Sequence, residues 1–137
     1  MIHQLITRFF VILFIVVLTP NRMSATTNDL PECVVITHCV RENLKVKDLE
    51  EAFKKATKIV SETPRTQIVE QTNSYIHAEA KTKWRRYTDD LLIKAIPEKG
   101  IIQVRSESRV GIGDNGVNQR RVDDLAYRLM TEPDSFS

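Results

Sequence analysis

The sequence predicts an α+β domain in which two helices pack on a four-stranded antiparallel sheet, preceded by an N-terminal signal segment. Three observations carry that reading. The stretches "KDLEEAFKKATKIVSE" and "NQRRVDDLAYRLM" repeat apolar residues at helical spacing, "YIHAEAKTKW" alternates them with a period of two, and "PEKG" parts two further apolar runs as a hairpin turn does. The simplest assembly lays both helices on one face of the sheet. With 137 residues the chain has room for one such core and not for two.

Residues 1–25 read as a secretory signal. Met1 to Arg8 carries one positive charge and no acid, Phe9 to Leu18 is an unbroken apolar run of ten residues, and Pro20 and the polar "NRMSA" follow. A membrane-spanning helix needs ~20 apolar residues, so the run suits a leader removed after Ala25 better than a retained anchor. Met23, two places before Ala25, is a poor match to the small residue wanted there. The expected location is therefore a periplasm, a thylakoid lumen or the extracellular space, and the alternative is a domain anchored to the membrane by residues 1–25.

Residues 26–46, which hold both cysteines, read as an irregular N-terminal segment; the α+β domain spans 47–131, and 132–137 is a flexible tail. In the first helix Leu49, Ala52, Phe53, Ala56, Ile59 and Val60 share one face, acids precede lysines as the helix dipole prefers, and Pro64 ends it. Thr66–Gln71 is the first strand and Asn73 marks a turn. Ile76, Ala78, Ala80 and Trp84 then fall on one face of the next strand, with His77, Glu79, Lys81 and Lys83 on the other. Asp89–Ile96 and Ile101–Arg109 flank the "PEKG" turn. The last helix carries Val122, Leu125, Ala126 and Leu129 as its stripe, extended at its first turn by Asn118 and Arg121.

The final hairpin can be registered from the turn. With Pro97 facing Gly100, Ala95 faces Ile102, Ile93 faces Val104, Leu91 faces Ser106 and Asp89 faces Ser108. That face is apolar at the turn end and polar at the far end, where Asn118 and Arg121 would meet Ser106 and Ser108. The opposite face sets Lys94 against Gln103, Leu92 against Arg105, Asp90 against Glu107 and Thr88 against Arg109. Asp90 then lies diagonally between Arg105 and Arg109, in reach of both.

Charge excludes one large class of partner. Of 20 Lys and Arg, Arg8 and Arg22 lie in the leader, so 18 remain against 18 Asp and Glu, and the rest of the chain is formally neutral. A sequence-independent nucleic-acid binder carries a basic excess on the domain itself, so no nucleic-acid partner is expected.

"VRSESRVGIGDNGVNQRRVDDL" resembles the signature of an uncharacterised bacterial and plastid family, the domain of unknown function 1499. The family pattern runs Arg-Ser-x-Ser-Arg-x-Gly, then Asp-x-Gly-x-Asn, then Arg. The matching positions are Arg105, Ser106, Ser108, Arg109 and Gly111, then Asp114, Gly116 and Asn118, then Arg121. Asp89 and Asp90 match a second family element, and Cys33 and Cys39 keep the family's two-cysteine spacing. Thr37 and His38 stand where the family has Pro-Asn, so the resemblance does not extend to the local turn. The resemblance covers roughly residues 30–130 and implies no reaction.

The candidate chemistry divides by residue type. Export favours a Cys33–Cys39 disulfide, and five intervening residues can close that loop. A metal site would need a third and a fourth ligand, and only His38 is adjacent, so no metal or cofactor is expected. Catalysis at Ser106 or Ser108 would need His77 as base, with Glu79 to orient it, but no Gly-x-Ser-x-Gly turn is present. Asp89 and Asp90 cannot act as a glycosidase pair, because adjacent strand residues point to opposite faces.

The arginine cluster is the serious candidate. Arginine forks suit carboxylate and phosphate, and a glycine-rich loop entering a helix offers N–H groups to an anion. On that reading Arg105, Ser106, Ser108, Arg109, Gly111, Asp114, Gly116, Asn118 and Arg121 would surround an anion. The same residues also suit a polar clasp, with Asp90 bridging Arg105 and Arg109, Asp114 capping the loop and Asn118 satisfying strand-end backbone groups. The clasp is the first reading and the anion site the second.

Two functions follow. The favoured one is a non-enzymatic exported module that binds an acidic small-molecule ligand or an envelope partner, touching a membrane only through an uncleaved leader. The alternative is a hydrolase or transferase acting on a phosphorylated or carboxylated substrate, which a carboxylate left unpaired beside Arg105 would favour. The catalytic residues of such an enzyme are not identifiable from the sequence.

Overall fold

The computed structural model describes residues 28–131. The leader expected at 1–25 and the tail expected at 132–137 lie outside the described residues. The elements run β1 (Cys39–Lys45), α1 (Leu49–Glu62), β2 (Thr66–Gln71), β3 (Tyr75–Lys81), β4 (Thr88–Ile96), β5 (Ile101–Ser108) and α2 (Val117–Thr131). The strands form one antiparallel sheet in the order β1-β5-β4-β3-β2.

The sheet therefore has five strands rather than four, and the expectation of an irregular segment over 26–46 is corrected by β1. Its sequence, "CVRENLK", offers only Val40 and Leu44 as apolar residues on the inward face, too few for a period-2 signal. What makes it a strand is tertiary pairing: it closes the free edge of β5, with Val40 opposite Ser106 and Leu44 opposite Ile102. No local feature announces a partner some sixty residues on.

Helix α1 begins where Asp48 accepts the Glu51 N–H at 2.9 Å, the bond expected of an N-cap aspartate. It buries Phe53, Ala56, Ile59 and Val60, and carries the chain from the β1 edge to the β2 edge over one face of the sheet. Helix α2 lies on the same face and buries Val122 and Leu125. These residues meet Ile76, Ala78, Leu91, Ile93, Ala95, Ile102 and Val104 in one core, each large aliphatic contributing about 1.5–3 kcal/mol of transfer free energy.

The β4–β5 register follows the expected pairs, from Ala95 opposite Ile102 to Asp89 opposite Ser108. The turn between them is a short 3-10 segment, Pro97–Lys99, closed by Gly100 at φ 62°, a left-handed conformation that glycine adopts without a Cβ clash. Strand β3 ends earlier than expected, at Lys81, and Trp84 sits on an exposed loop instead of continuing the buried face.

The outer face of the sheet is partly roofed. Residues 28–38 run along it, with Asp29 bound to Lys99 at 2.7 Å at one end. The Leu30 N–H donates to Gln103 Oε1 and Arg41 Nη1 donates to the Leu30 carbonyl at 2.6 Å. A polar Gln103 is fully buried there because its amide is also used, donating to Asn43 Oδ1 at 2.8 Å. Cys33 and Cys39 are joined in a disulfide that fixes this segment to the start of β1. Among the described residues no helix is long and apolar enough to cross a membrane.

Candidate functional site

One end of the sheet gathers everything polar that the sequence singled out. The start of β1, the end of β3, the start of β4 and the end of β5 all lie there, because Cys39 pairs with Glu107, Ser108 with Asp89 and Asp89 with Ala80. The loops at this end are 31–38, 82–87 and 109–116, and helix α2 starts from the last of them.

On the helix face, Asn118 is the hub of a buried network. Its Oδ1 accepts from Ser106 Oγ at 2.6 Å and from Arg121 Nη1 at 2.8 Å. Its amide nitrogen donates toward Ser108 Oγ at 2.8 Å, the His38 carbonyl at 3.0 Å and Asp114 Oδ2 at 2.7 Å. Asn118 and Ser106 are fully buried. The helix stripe does deliver Asn118 and Arg121 to the serines at the sheet end. The network also ties in the N-terminal segment, since the Ser108 N–H donates to the His38 carbonyl and the Asp114 N–H to that of Thr37.

Where the glycine loop enters the helix, its N–H groups are taken rather than held open to an anion. The Asp114 carboxylate accepts the Gly116 N–H at 2.9 Å and the Asn118 N–H at 2.7 Å, and the Val117 N–H goes to the Asp114 carbonyl. Burial raises the Asp114 pKa, but these backbone donors and the Asn118 amide outweigh it and hold the carboxyl below its usual range. Asn115 and Gly116 make the tight approach to the helix with φ of 54° and 75°, values that asparagine and glycine tolerate best.

Arg121 continues from the hub to the sheet. Its Nη2 donates to Asp89 Oδ2 at 2.7 Å, and Asp89 is wholly shielded from solvent. Asp89 Oδ1 is also buried and has no hydrogen-bond partner among the described residues. The free carboxylate oxygen thus stands beside Arg121, not beside Arg105.

The outer face carries a different arrangement. Glu79, Asp90 and Glu107 are paired side by side across β3, β4 and β5, a row of like charges that would repel if left alone. Arg109 answers it with Nε to Asp90 Oδ2 at 2.9 Å and Nη2 to Asp90 Oδ1 and Glu79 Oε1. His77 Nε2 lies 2.6 Å from Asp90 Oδ1, and Arg105 donates to Glu107 Oε2 at 2.6 Å. The Arg109 bonds, then burial working against them, then His77, leave the Asp90 carboxyl below its usual range. The bonds to Asp90 and then Glu79 raise the Arg109 guanidinium. Asp90 therefore joins Arg109 but not Arg105, which turns to the acid two residues along its own strand. His77 lies across the sheet from Ser106 and Ser108, so it cannot serve either as a base.

A cleft of about 670 Å³ opens at the same end, between loops 82–87 and 109–116. Its cations are Arg65, Lys81, Lys83, Arg85, Arg120 and Arg121. Its acids are Asp89 and Asp114, the first held by Arg121 and the second by backbone N–H groups. Of the nine residues expected around an anion, Ser108, Gly111, Asp114 and Arg121 line this cleft. Ser106, Gly116 and Asn118 stand behind it, and Arg105 and Arg109 are on the outer face. The sequence signal for this wall is "KTKWRRY", from Lys81 to Tyr87, four basic residues with no acid among them, of which the strand pattern accounts only for Lys81 and Lys83. Among the described residues no group of three or more His, Cys, Asp or Glu is placed to hold a metal ion.

Fold and site together define an α+β domain whose sheet end is locked to a helix by a buried Ser–Asn–Arg–Asp network. The family model of proteins of unknown function DUF1499 matches residues 17–129, and the chain belongs to that family. No curated protein shows a match to it.

Proposed function

We propose that the chain is an exported, non-enzymatic binding domain whose cleft takes a small acidic ligand that also donates a hydrogen bond. The observation that carries this reading is the cleft itself: six cations in its wall, above a buried carboxylate oxygen that has no donor among the described residues. Unbalanced cations focus an attractive field on anions, and arginine forks grip phosphate or carboxylate. A buried acceptor without a donor costs about 1–3 kcal/mol, and binding that opens the cleft floor to bring a ligand hydroxyl or amine onto Asp89 recovers it. The disulfide supports an oxidising compartment, in keeping with the leader.

Titration calorimetry with inorganic phosphate and glycerol 3-phosphate tests this. Both should bind, more weakly as salt rises, with glycerol 3-phosphate the tighter. Arg120→Ala and Lys81→Ala should weaken both, and Asp89→Asn should abolish the preference. Heat changes absent for both, or untouched by these substitutions, would end the proposal.

The same free oxygen favours a second reading as a hydrolase or transferase, because a carboxylate beside an arginine can accept a proton from a bound hydroxyl. Steady release of p-nitrophenol from p-nitrophenyl phosphate, lost in Asp89→Asn while phosphate binding persists, would put this reading in place of the first.

A further inference from the structure

Ten large hydrophobic residues are exposed among the described residues, and seven of them (Val34, Val35, Ile36, Trp84, Tyr87, Val110 and Ile112) sit on the three loops at the cleft end. The other three, Val69, Tyr127 and Met130, lie on an edge strand and the later turns of α2. Scattered apolar residues need no explanation, but a concentration on one end of a small domain marks a contact surface. The exposure is extreme at the tips: 82% for Ile36, 87% for Trp84 and 92% for Ile112. Loops 31–38 and 109–116 are held together, with Thr37 Oγ1 donating to the Ile112 carbonyl, so their tips form one platform.

The charge around this platform selects the partner. Lys83, Arg85 and Arg86 are all exposed beside Trp84, and Lys83 Nζ lies 5.3 Å from the centre of its ring. The acids at this end are turned inward or engaged: Asp89 and Asp114 within the clasp, Glu32 on Arg41, Glu79 and Asp90 on Arg109, and Glu107 on Arg105. The outward charge is thus positive. Trp and Tyr set among Lys and Arg, with aliphatic tips projecting from separate loops, match the requirements of a bilayer interface. There the rings sit at headgroup level and the cations meet anionic lipid.

We propose that this loop end docks on an anionic membrane surface, with Trp84, Ile36 and Ile112 entering the headgroup layer and Lys83, Arg85 and Arg86 meeting lipid phosphates. This contact is separate from any made by the leader; it shares Lys83, Trp84 and Arg85 with the cleft wall and adds the tips of the two neighbouring loops. Ile36 and Ile112 do not line the cleft.

The protein recovered from its native host is mixed with vesicles of phosphatidylcholine alone, or of phosphatidylcholine and phosphatidylglycerol in equal parts. Trp84 is the single tryptophan of the chain and reports the contact directly. Binding by flotation, with a blue shift of Trp84 emission, is expected for the anionic vesicles and should fade with added salt. Ile36→Asp and Ile112→Asp should each weaken it by about tenfold or more without lowering the unfolding midpoint, a loss equivalent to one step of the affinity scale. Their binding of inorganic phosphate should be unchanged, so failure of the cleft reading and failure of this one are distinguishable. Three results would overturn the proposal: no blue shift on anionic vesicles, equal binding to neutral vesicles, or Asp variants that bind as well as wild type. Self-association that shields Trp84 without lipid would also overturn it, by assigning the tips to a second copy.

Discussion

Asp89 and Arg121 form an ion pair 2.7 Å across, with the carboxylate sealed from solvent, the arginine side chain 16% exposed, and one carboxylate oxygen unused. The pair joins the start of β4 to the first turn of α2 and so fixes how the helix sits on the sheet end. Arg121→Ala strands a buried charge and should destabilise the domain by about 3–5 kcal/mol. Asp89→Asn keeps the shape, removes the charge and should cost less. In the double variant Asp89→Asn with Arg121→Ala the two losses should fall well short of additive. Denaturant midpoints for the three proteins decide this, and additive losses would mean that the two residues act separately.

Asn118 makes the second test. Removing its side chain leaves the Ser106 and Ser108 hydroxyls and the His38 carbonyl without their shared partner in a dry site. Asn118→Ala should therefore cost about 2–4 kcal/mol, more than an ordinary surface change. Asn118→Asp should be worse still, since it places a charge against Asp114 Oδ2, now 2.7 Å away. Thermal unfolding in the order wild type, Ala, Asp from most to least stable is the expected result.

The parts of this fold written in local pattern were legible from the sequence. The β4–β5 register followed from the "PEKG" turn, and it put Asp89, Ser106 and Ser108 on one face with Asn118 and Arg121 above them. The Asp89–Arg121 pair is implicit in those placements, whereas the diagonal register points to Asp90 as the one acid between two arginines. Glu107 was the missing term: two residues from Arg105 on the same strand face, it takes that arginine and leaves Asp90 to Arg109 and His77. Strand β1 and the roof over Gln103 escaped notice because both are set by contacts distant in sequence. Trp84 was misplaced because the period-2 pattern of β3 runs past Lys81 into "TKW", while the chain leaves the sheet there.

Acid should unfold this protein through Asp90 and Asp114. Both carboxyls are held below their usual range when folded, the first chiefly by Arg109 and the second by loop N–H groups acting against burial. A depressed folded pKa adds stability that is complete above the unfolded value of about 3.9 and is lost as the pH falls through the folded one. The contribution of these two groups should therefore be flat between about pH 5 and 7 and decline below about pH 4. Asp114→Asn should reduce the proton uptake on unfolding and flatten that decline. Unfolding free energies measured against pH for the two proteins give the comparison, and parallel curves would remove Asp114 from the account.

The leader makes a prediction about mass. From the basic start, the short apolar run and Ala25 we propose that residues 1–25 are removed during export. Intact-mass measurement of protein from the native host should show a chain beginning near Thr26. Met1 retained in a membrane fraction would establish an anchor instead.

The Cys33–Cys39 disulfide closes a loop of only five intervening residues, so its loss should cost no more than about 2 kcal/mol in global stability. Its structural reach is longer than that figure suggests. The bonded segment carries Thr37 and His38, whose carbonyls accept from Asp114, Ser108 and Asn118, and it roofs Gln103 through Leu30. Cys33→Ser should therefore loosen residues 28–38 and, through the His38 carbonyl, the loop that leads into α2. The core pairing of β3 with β4, which the segment does not touch, should hold. Amide exchange followed by mass spectrometry should show faster exchange over 30–38 and 108–118 and unchanged protection over 76–80 and 91–95. Uniform acceleration across the sheet would show that the disulfide supports the whole core, and no change at 108–118 would uncouple the segment from the clasp.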